Sequence, residues 1–157
     1  MASQDRSNIR FRRATAHDVP AIIALIANDQ LGSTREDASL PLHADYVAAF
    51  KAIDADANQL LAVVDASGVI AGCLQLTFIP GLSRRGSWRG QIEAVRISPD
   101  YRGGGFGRDF LEWAIEKCRA RGCRLVQLAT DKSRPEAHKF YEALEFVSSH
   151  EGMKRKL

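Results

Sequence analysis

The 157-residue chain has no apolar stretch approaching the roughly 20 residues that a membrane-spanning helix requires. Its opening residues, MASQDRSNIRFRR, lack the apolar segment of a secretory signal. Cysteine is scarce: Cys73, Cys118 and Cys123 are odd in number and lack metal-like spacing, so reduced, buried thiols are expected. Cys73 falls in a predicted strand with no histidine near it in sequence, which gives a nucleophile reading little support. The four histidines, His17, His43, His138 and His150, are scattered, and none is assigned to a metal. Basic residues form no run beyond Lys154 to Lys156, and the net charge is only +3, so no nucleic-acid partner is expected. No repeat, low-complexity segment or linker divides the chain. These absences point to a cytoplasmic protein with no membrane partner, folded as a single domain over residues 1–157.

What is present is an ordinary globular composition, 45% apolar and 26% charged, arranged in a readable order of elements. NIRFRRAT reads as a strand with Ile9 and Phe11 alternating, and Thr15 with Asp18 forms a capping-box variant before the helical VPAIIALIAND. After the polar loop LGSTREDASLPLH, Tyr46, Val47, Phe50 and Ile53 mark a second helix. QLLAVVD, ASG and VIAGCLQLTFI make a strand, a turn and a longer strand, followed by the loop PGLSRRGSWRG and the strand QIEAVRI. A helix from about Phe106 to Arg121 has Phe110, Leu111, Ala114 and Cys118 as its inner stripe and Gly122 as its stop. RLVQLAT reads as a buried strand, SRPEAHKFYEAL as a helix with Pro135 in its first turn, and FVSSHEGMKRKL as a last strand or hairpin. The expected class is α/β (α+β), a mixed, mostly antiparallel sheet flanked by helices, in the order β-α-α-β-β-β-α-β-α-β with a further β at the end. One parallel crossover is implied around the glycines.

Those glycines lie in SPDYRGGGFGRDF, between a strand and a helix. A helix N-terminus offers unpaired N–H groups and a positive dipole end, and glycines let a phosphate approach the main chain. Spacing separates the candidate loops. A P-loop needs GxxxxGK[ST], but Arg108 stands five residues after Gly103 and no Lys-Ser or Lys-Thr follows. A dinucleotide fingerprint needs GxGxxG; Gly103 and Gly105 fit, and Arg108 again breaks the third position. The pattern [Q/R]xxGx[G/A] does fit, with Arg102, Gly105 and Gly107, and leaves Gly103 and Gly104 without an assigned task.

With IEAVRISPDYRGGGFG and the later AHKFYEALEF in order and at the right separation, the chain resembles the GCN5-related N-acetyltransferases (GNAT) from roughly Gln91 to Phe146. The order of elements agrees with that family's fold. The resemblance implies an acetyl-CoA-dependent N-acetyltransferase acting on a primary amine by direct attack in a ternary complex. The acceptor is then a small molecule, with a protein amine as the other possibility. It implies a cofactor site of Arg102, Gly103, Gly104, Gly105, Phe106, Gly107 and Arg108 around the pyrophosphate. Val95, Arg96 and Ile97 would bond the pantetheine through main-chain atoms, beside a family strand bulge that also frees an oxyanion donor near Val95. Arg102 and Arg108 are either phosphate contacts or solvated surface charges. Homodimers are a habit of the family.

Acetyl transfer also needs an acid for the leaving thiolate and a base for the ammonium. Ala137, Phe140, Tyr141 and Leu144 share a helix face, which alone describes a core tyrosine; the resemblance implies that Tyr141 is the acid. Glu93, in the central strand, is either the base facing a cleft or half of a salt bridge with a neighbouring arginine. Two positions depart from the family pattern. Arg134 stands where relatives often place a pantetheine-binding Asn, and it either reaches a phosphate or contributes nothing. Glu145 replaces the glycine of the usual LGF. Arg84, Arg85 and Arg89, beside Trp88, either receive an acidic or phosphonate-bearing amine or form a mobile basic loop. The competing reading is a non-catalytic acyl-CoA-binding or regulatory module on the same fold.

Overall fold

The computed structural model describes residues 8–29 and 31–157. Chain order runs β1 (Ile9–Arg13), α1 (Val19–Ala27), α2 (Ala44–Ala55), β2 (Gln59–Ala66), β3 (Val69–Ile79) and β4 (Trp88–Ile97). It continues through α3 (Phe106–Ala120), β5 (Cys123–Leu128) and α4 (Pro135–Glu142). The strands form one sheet in the order β1-β2-β3-β4-β5, antiparallel except for the parallel pair β4–β5. Helix α3 supplies the crossover that a parallel pair requires. The mixed, mostly antiparallel sheet flanked by helices is therefore present.

Local chemistry accounts for the joints. Ser67 and Gly68, with φ of 53° and 90°, make a two-residue left-handed turn whose twist suits the β2–β3 hairpin. At the start of α1, the Asp18 carboxylate accepts from the Thr15 N–H at 2.7 Å and from its hydroxyl at 3.0 Å. Arg12 of β1 donates twice to the same carboxylate, at 2.7 and 3.0 Å, and through Nε to Asp65 of β2 at 2.8 Å. One guanidinium thus ties the helix start to the first two strands.

The two faces of the sheet differ. On one, the α3 stripe of Phe110, Leu111, Ala114 and Cys118 meets Leu74, Leu76 and Ile92, all of them fully buried. The approach is closest at Gly90, where a Cβ would lie 2.3 Å from Cys118 Sγ. On the other face α1 sets Ile22, Leu25 and Ile26 against Val63 and Cys73. The rest of that face is a polar floor. Gln59 Oε1 accepts from Gln75 Nε2 and Thr77 Oγ1, each at 3.0 Å, and Gln127 Nε2 donates to Gln91 Oε1 at 2.7 Å. Helix α2 touches β2 but buries none of its residues, so the expected stripe of Tyr46, Val47, Phe50 and Ile53 remains partly open.

Three expectations need correction. β4 begins at Trp88 rather than Gln91, because Trp88 and Arg89 already pair with β5 and Arg89 with β3. β5 is not a buried strand; it lies at the sheet edge, and Arg124 and Leu125 are exposed. No strand follows α4 among the described residues. In the tail Val147, Met153 and Leu157 are 80%, 95% and 118% exposed, and the polar residues between them offer no alternating apolar face to bury. No helix of the described residues is long and apolar enough to cross a membrane.

Candidate active site

β4 carries the irregularity that organises the site. Glu93 pairs with Gln75, and Arg96 with Cys73, so three steps along β4 match two along β3. The surplus residue forms a β-bulge, and within it Ala94 takes a left-handed φ of 53°. That conformation costs an alanine about 1 kcal/mol or more, so its surroundings must hold it there. Residues three apart on a regular strand point to opposite faces. The bulge instead puts Glu93 and Arg96 on the same face, the one that α1 half covers. Arg96 Nη1 donates to the Val95 carbonyl at 2.8 Å, and Cys73 Sγ lies 3.6 Å from the Ala94 carbonyl.

Pairing of β4 with β5 ends at Ile92 and Leu128, while β4 runs on to Ile97. A wedge opens there, and the main-chain groups of Val95, Arg96 and Ile97 have no strand partner on the β5 side. The resemblance had implied a bulge and splay here; nothing in the residues themselves announced them.

The glycine loop follows directly. Gly103 and Gly105 have φ of 80° and 81°, and Gly105 is the N-cap of α3. Gly104 answers a different demand: a Cβ there would lie 2.7 Å from the ring of Phe106. Phe106 is 3% exposed and packs edge-on to Tyr101 with centroids 6.2 Å apart. At Gly107 a Cβ would meet Ile97 and Phe140 at an ordinary 3.5 Å, in keeping with a pattern that admits alanine. The two glycines that the pattern left without a task are thus needed by the fold of the loop. Arg102 Nε donates to the Ile97 carbonyl at 3.0 Å, and Arg108 Nη2 to the Ala143 carbonyl at 3.5 Å. Both arginines are exposed and flank the α3 N-terminus, where first-turn N–H groups lack intrahelical partners. These residues suit a pyrophosphate: a glycine-rich helix start between two cations.

On α4, Tyr141 is half-buried, with the rings of Phe140 and Phe146 against it, and packs onto the main core. Burial pushes its phenol above the ordinary 10, and the charges of Arg134 and Arg96 pull it partway back. Arg134 is the N-cap of α4. It meets Arg96 at a residue that sequence reasoning missed, Asp29, just past the end of α1. Asp29 Oδ2 lies 2.9 Å from Arg96 Nη2 and 3.8 Å from Arg134 Nη1. A lone acid at a helix end has no spacing relation to arginines far along the chain, so no local signal could have found it.

Glu93 is exposed on the polar floor and has no ion pair among the described residues. Cys73 is buried and its thiol is pushed up to about 12, which leaves it inert as a nucleophile. Arg84 and Arg85 stand exposed with φ of 53° and 60° in the loop before β4, away from the wedge.

A family model described as the acetyltransferase (GNAT) family matches residues 23–146. The chain belongs to that family, and thereby to a class of acetyltransferase enzymes. Aminoalkylphosphonate N-acetyltransferase of Salmonella typhimurium is 29% identical over 143 residues, covering 89% of this chain and 86% of that protein. Glucosamine 6-phosphate N-acetyltransferase of Trypanosoma brucei brucei is 38% identical over 90 residues, covering 57% of this chain and 58% of that one. Among solved structures, a protein named a transcriptional regulator from Bacillus halodurans C-125 superimposes with a TM-score of 0.93 at 46% identity. That match covers 95% of this chain and 99% of the other.

Proposed function

We propose that the chain transfers the acetyl group of acetyl-CoA to a primary amine of a small molecule, by direct attack within a ternary complex in the cytoplasm. The observation that carries this reading is the left-handed Ala94 bulge opening β4 beside the glycine loop and Tyr141. Acetyl-CoA supplies the activated acetyl group. Its pyrophosphate belongs on the N–H groups from Gly103 to Arg108, with Arg102 and Arg108 alongside. Its pantetheine arm runs along the unpaired edge of Val95, Arg96 and Ile97.

The remaining steps fall to the chain's own groups. An alkylammonium has a pKa of roughly 10 and must lose a proton before attack. Glu93 takes that proton, directly or through a water on the amide-rich floor. A main-chain N–H near Val95 donates to the carbonyl oxygen as negative charge develops on it. Tyr141, kept protonated by burial, supplies a proton to the departing sulfur. The small-molecule acceptor draws support from two curated relatives, both named for amines that carry a phosphonate or a phosphate.

The test is thiol release from acetyl-CoA across a panel of amines, with coenzyme A binding followed by titration calorimetry. Binding without release for any amine would refute the reading. It would favour the second one, a non-catalytic acyl-CoA-responsive regulator, which the name of the 46%-identical relative makes specific.

A further inference from the structure

Cys118 and Cys123 meet where α3 hands over to β5. The helix ends in a left-handed turn: Gly122 has φ of 84°, and its N–H donates to the Arg119 carbonyl at 2.9 Å. In a helix end of this form the residue after the glycine packs against the residue five places before it. Those two residues are Cys123 and Cys118. The β4–β5 ladder supplies a second cause. Trp88 pairs with Cys123 and Arg89 with Leu125, so Arg124 is a surplus residue in β5. Regular alternation back from Val126 would have turned Arg124 to the α3 face; the surplus turns Cys123 there instead, against the main core. The Cys118 thiol donates to the Cys123 sulfur.

The two thiols differ in access and in acidity. Cys118 is fully buried and pressed against the main chain of Gly90. Cys123 is half-buried, and its chain neighbours Arg121, Gly122 and Arg124 are exposed. Burial pushes the Cys118 thiol up to about 12. Burial also raises Cys123, but the bond from Cys118 and the charge of Arg121 draw it back. Cys123 is therefore the sulfur that ionises first and meets solvent first. Acetyl transfer has no use for either thiol: Cys118 lies thirteen residues along α3 from Gly105, about 20 Å from the glycine loop.

We propose that Cys123 and Cys118 form a thiol-exchange site, in which Cys123 takes a small disulfide such as oxidised glutathione and Cys118 resolves it into an internal bridge. The Cys123 thiolate attacks one sulfur of the small disulfide, whose S–S bond breaks, and a small thiolate leaves with the electron pair. Cys118 then gives up its proton and attacks the Cys123 sulfur of the mixed disulfide, expelling the second small thiolate. The protons lost by the two cysteines end on the two departing thiolates. Two cysteine thiols are thus oxidised to one bridge, and one small disulfide is reduced to two thiols. The sulfurs already touch, so closure asks only that Cys118 Sγ draw away from Gly90. In a reducing compartment such a bridge is transient, and while closed it keeps Cys123 from irreversible oxidation.

The experiment incubates the reduced full chain with oxidised glutathione and reads intact mass and peptide maps. Wild type should lose two hydrogens, retain no glutathione, link Cys118 to Cys123 and leave Cys73 free. Dithiothreitol should restore the reduced mass. Cys118→Ala should instead hold one glutathione on Cys123, and Cys123→Ser should gain none and keep Cys118 reduced. Should the buried Cys118→Ala fail to fold, the wild-type map and Cys123→Ser decide the matter. Glutathione held stably on Cys123 of the wild type, beside a free Cys118, would overturn the proposal. So would a chain that oxidised glutathione leaves unmodified, or one in which Cys73 reacts as fast, since that marks exposure by unfolding.

Discussion

Replacing Asp18 with Asn tests how the fold anchors the helix that carries Asp29. Asp18 is 7% exposed, accepts two bonds from the Arg12 guanidinium and two from Thr15, and is held down at about 2 from an ordinary 3.8. Hydrogen bonding to Arg12 is the main cause, opposed by burial and reinforced by Thr15. A shift of this size corresponds to about 2 kcal/mol of stability at neutral pH. The folded value is depressed, so this stabilisation is fully present above the unfolded pKa near 4. It is lost as pH falls through about 2. Removing one partner of a buried pair can cost about 3–5 kcal/mol. Here Arg12 keeps Asp65 at 2.8 Å, so the cost should stay near the lower figure. Urea unfolding followed by circular dichroism should show Asp18→Asn less stable by about 2 kcal/mol at pH 7. The gap should narrow between pH 4 and pH 2. A gap that persists at pH 2, or that widens on acidification, would refute the assignment of this energy to the carboxylate.

Tyr141→Phe should lower kcat by about 100-fold or more while leaving coenzyme A affinity within about twofold. An equal loss in both would mark a packing role. Glu93→Gln should reduce kcat/KM at neutral pH by a similar factor, and an unchanged pH–rate profile would make Glu93 a surface carboxylate only. Gly104→Ala should push Phe106 aside and raise the Kd for acetyl-CoA about tenfold, measured by calorimetry, if misplacing the loop costs the about 1–3 kcal/mol typical of overpacking. Gly90→Ala should destabilise the fold by about 1–3 kcal/mol through contact with Cys118. The double variant with Cys118→Ala should recover part of that loss, and strict additivity in the urea midpoints would disprove the contact.

The parts of the fold legible in the sequence are those that local pattern dictates. The α3 stripe recurs at helical spacing and is fully buried, and Gly122 with φ of 84° ends the helix. The capping box at Thr15 and the turn at Ser67 and Gly68 are likewise written in adjacent residues. What pattern could not convey is where β5 sits: LVQL is apolar enough for a buried strand, yet its exposure depends on whether anything pairs with its outer edge. The tail fails for the converse reason. A last strand was expected from its position in the order of elements, while its own residues offer no apolar alternation.

The bulge explains why the site was less legible than the fold. Read as a regular strand, QIEAVRI sends Glu93 and Arg96 to opposite faces, and no functional argument could combine them. One surplus residue at Ala94 inverts that parity and shortens the offset between the two to about 6.7 Å. It also coincides with the point where β5 departs, so a single backbone event yields the wedge, the freed main-chain groups and an arginine turned toward Asp29. A deletion of Ala94 that restored the regular ladder would leave Glu93 and Arg96 two residues apart on one face, so the pair with Asp29 should survive while the bulge is lost. Alternation therefore predicts side-chain faces only along the regular stretches of strand and fails at irregularities, among them those opposite Val64 and Asp65 in β3 and at Ala94 in β4.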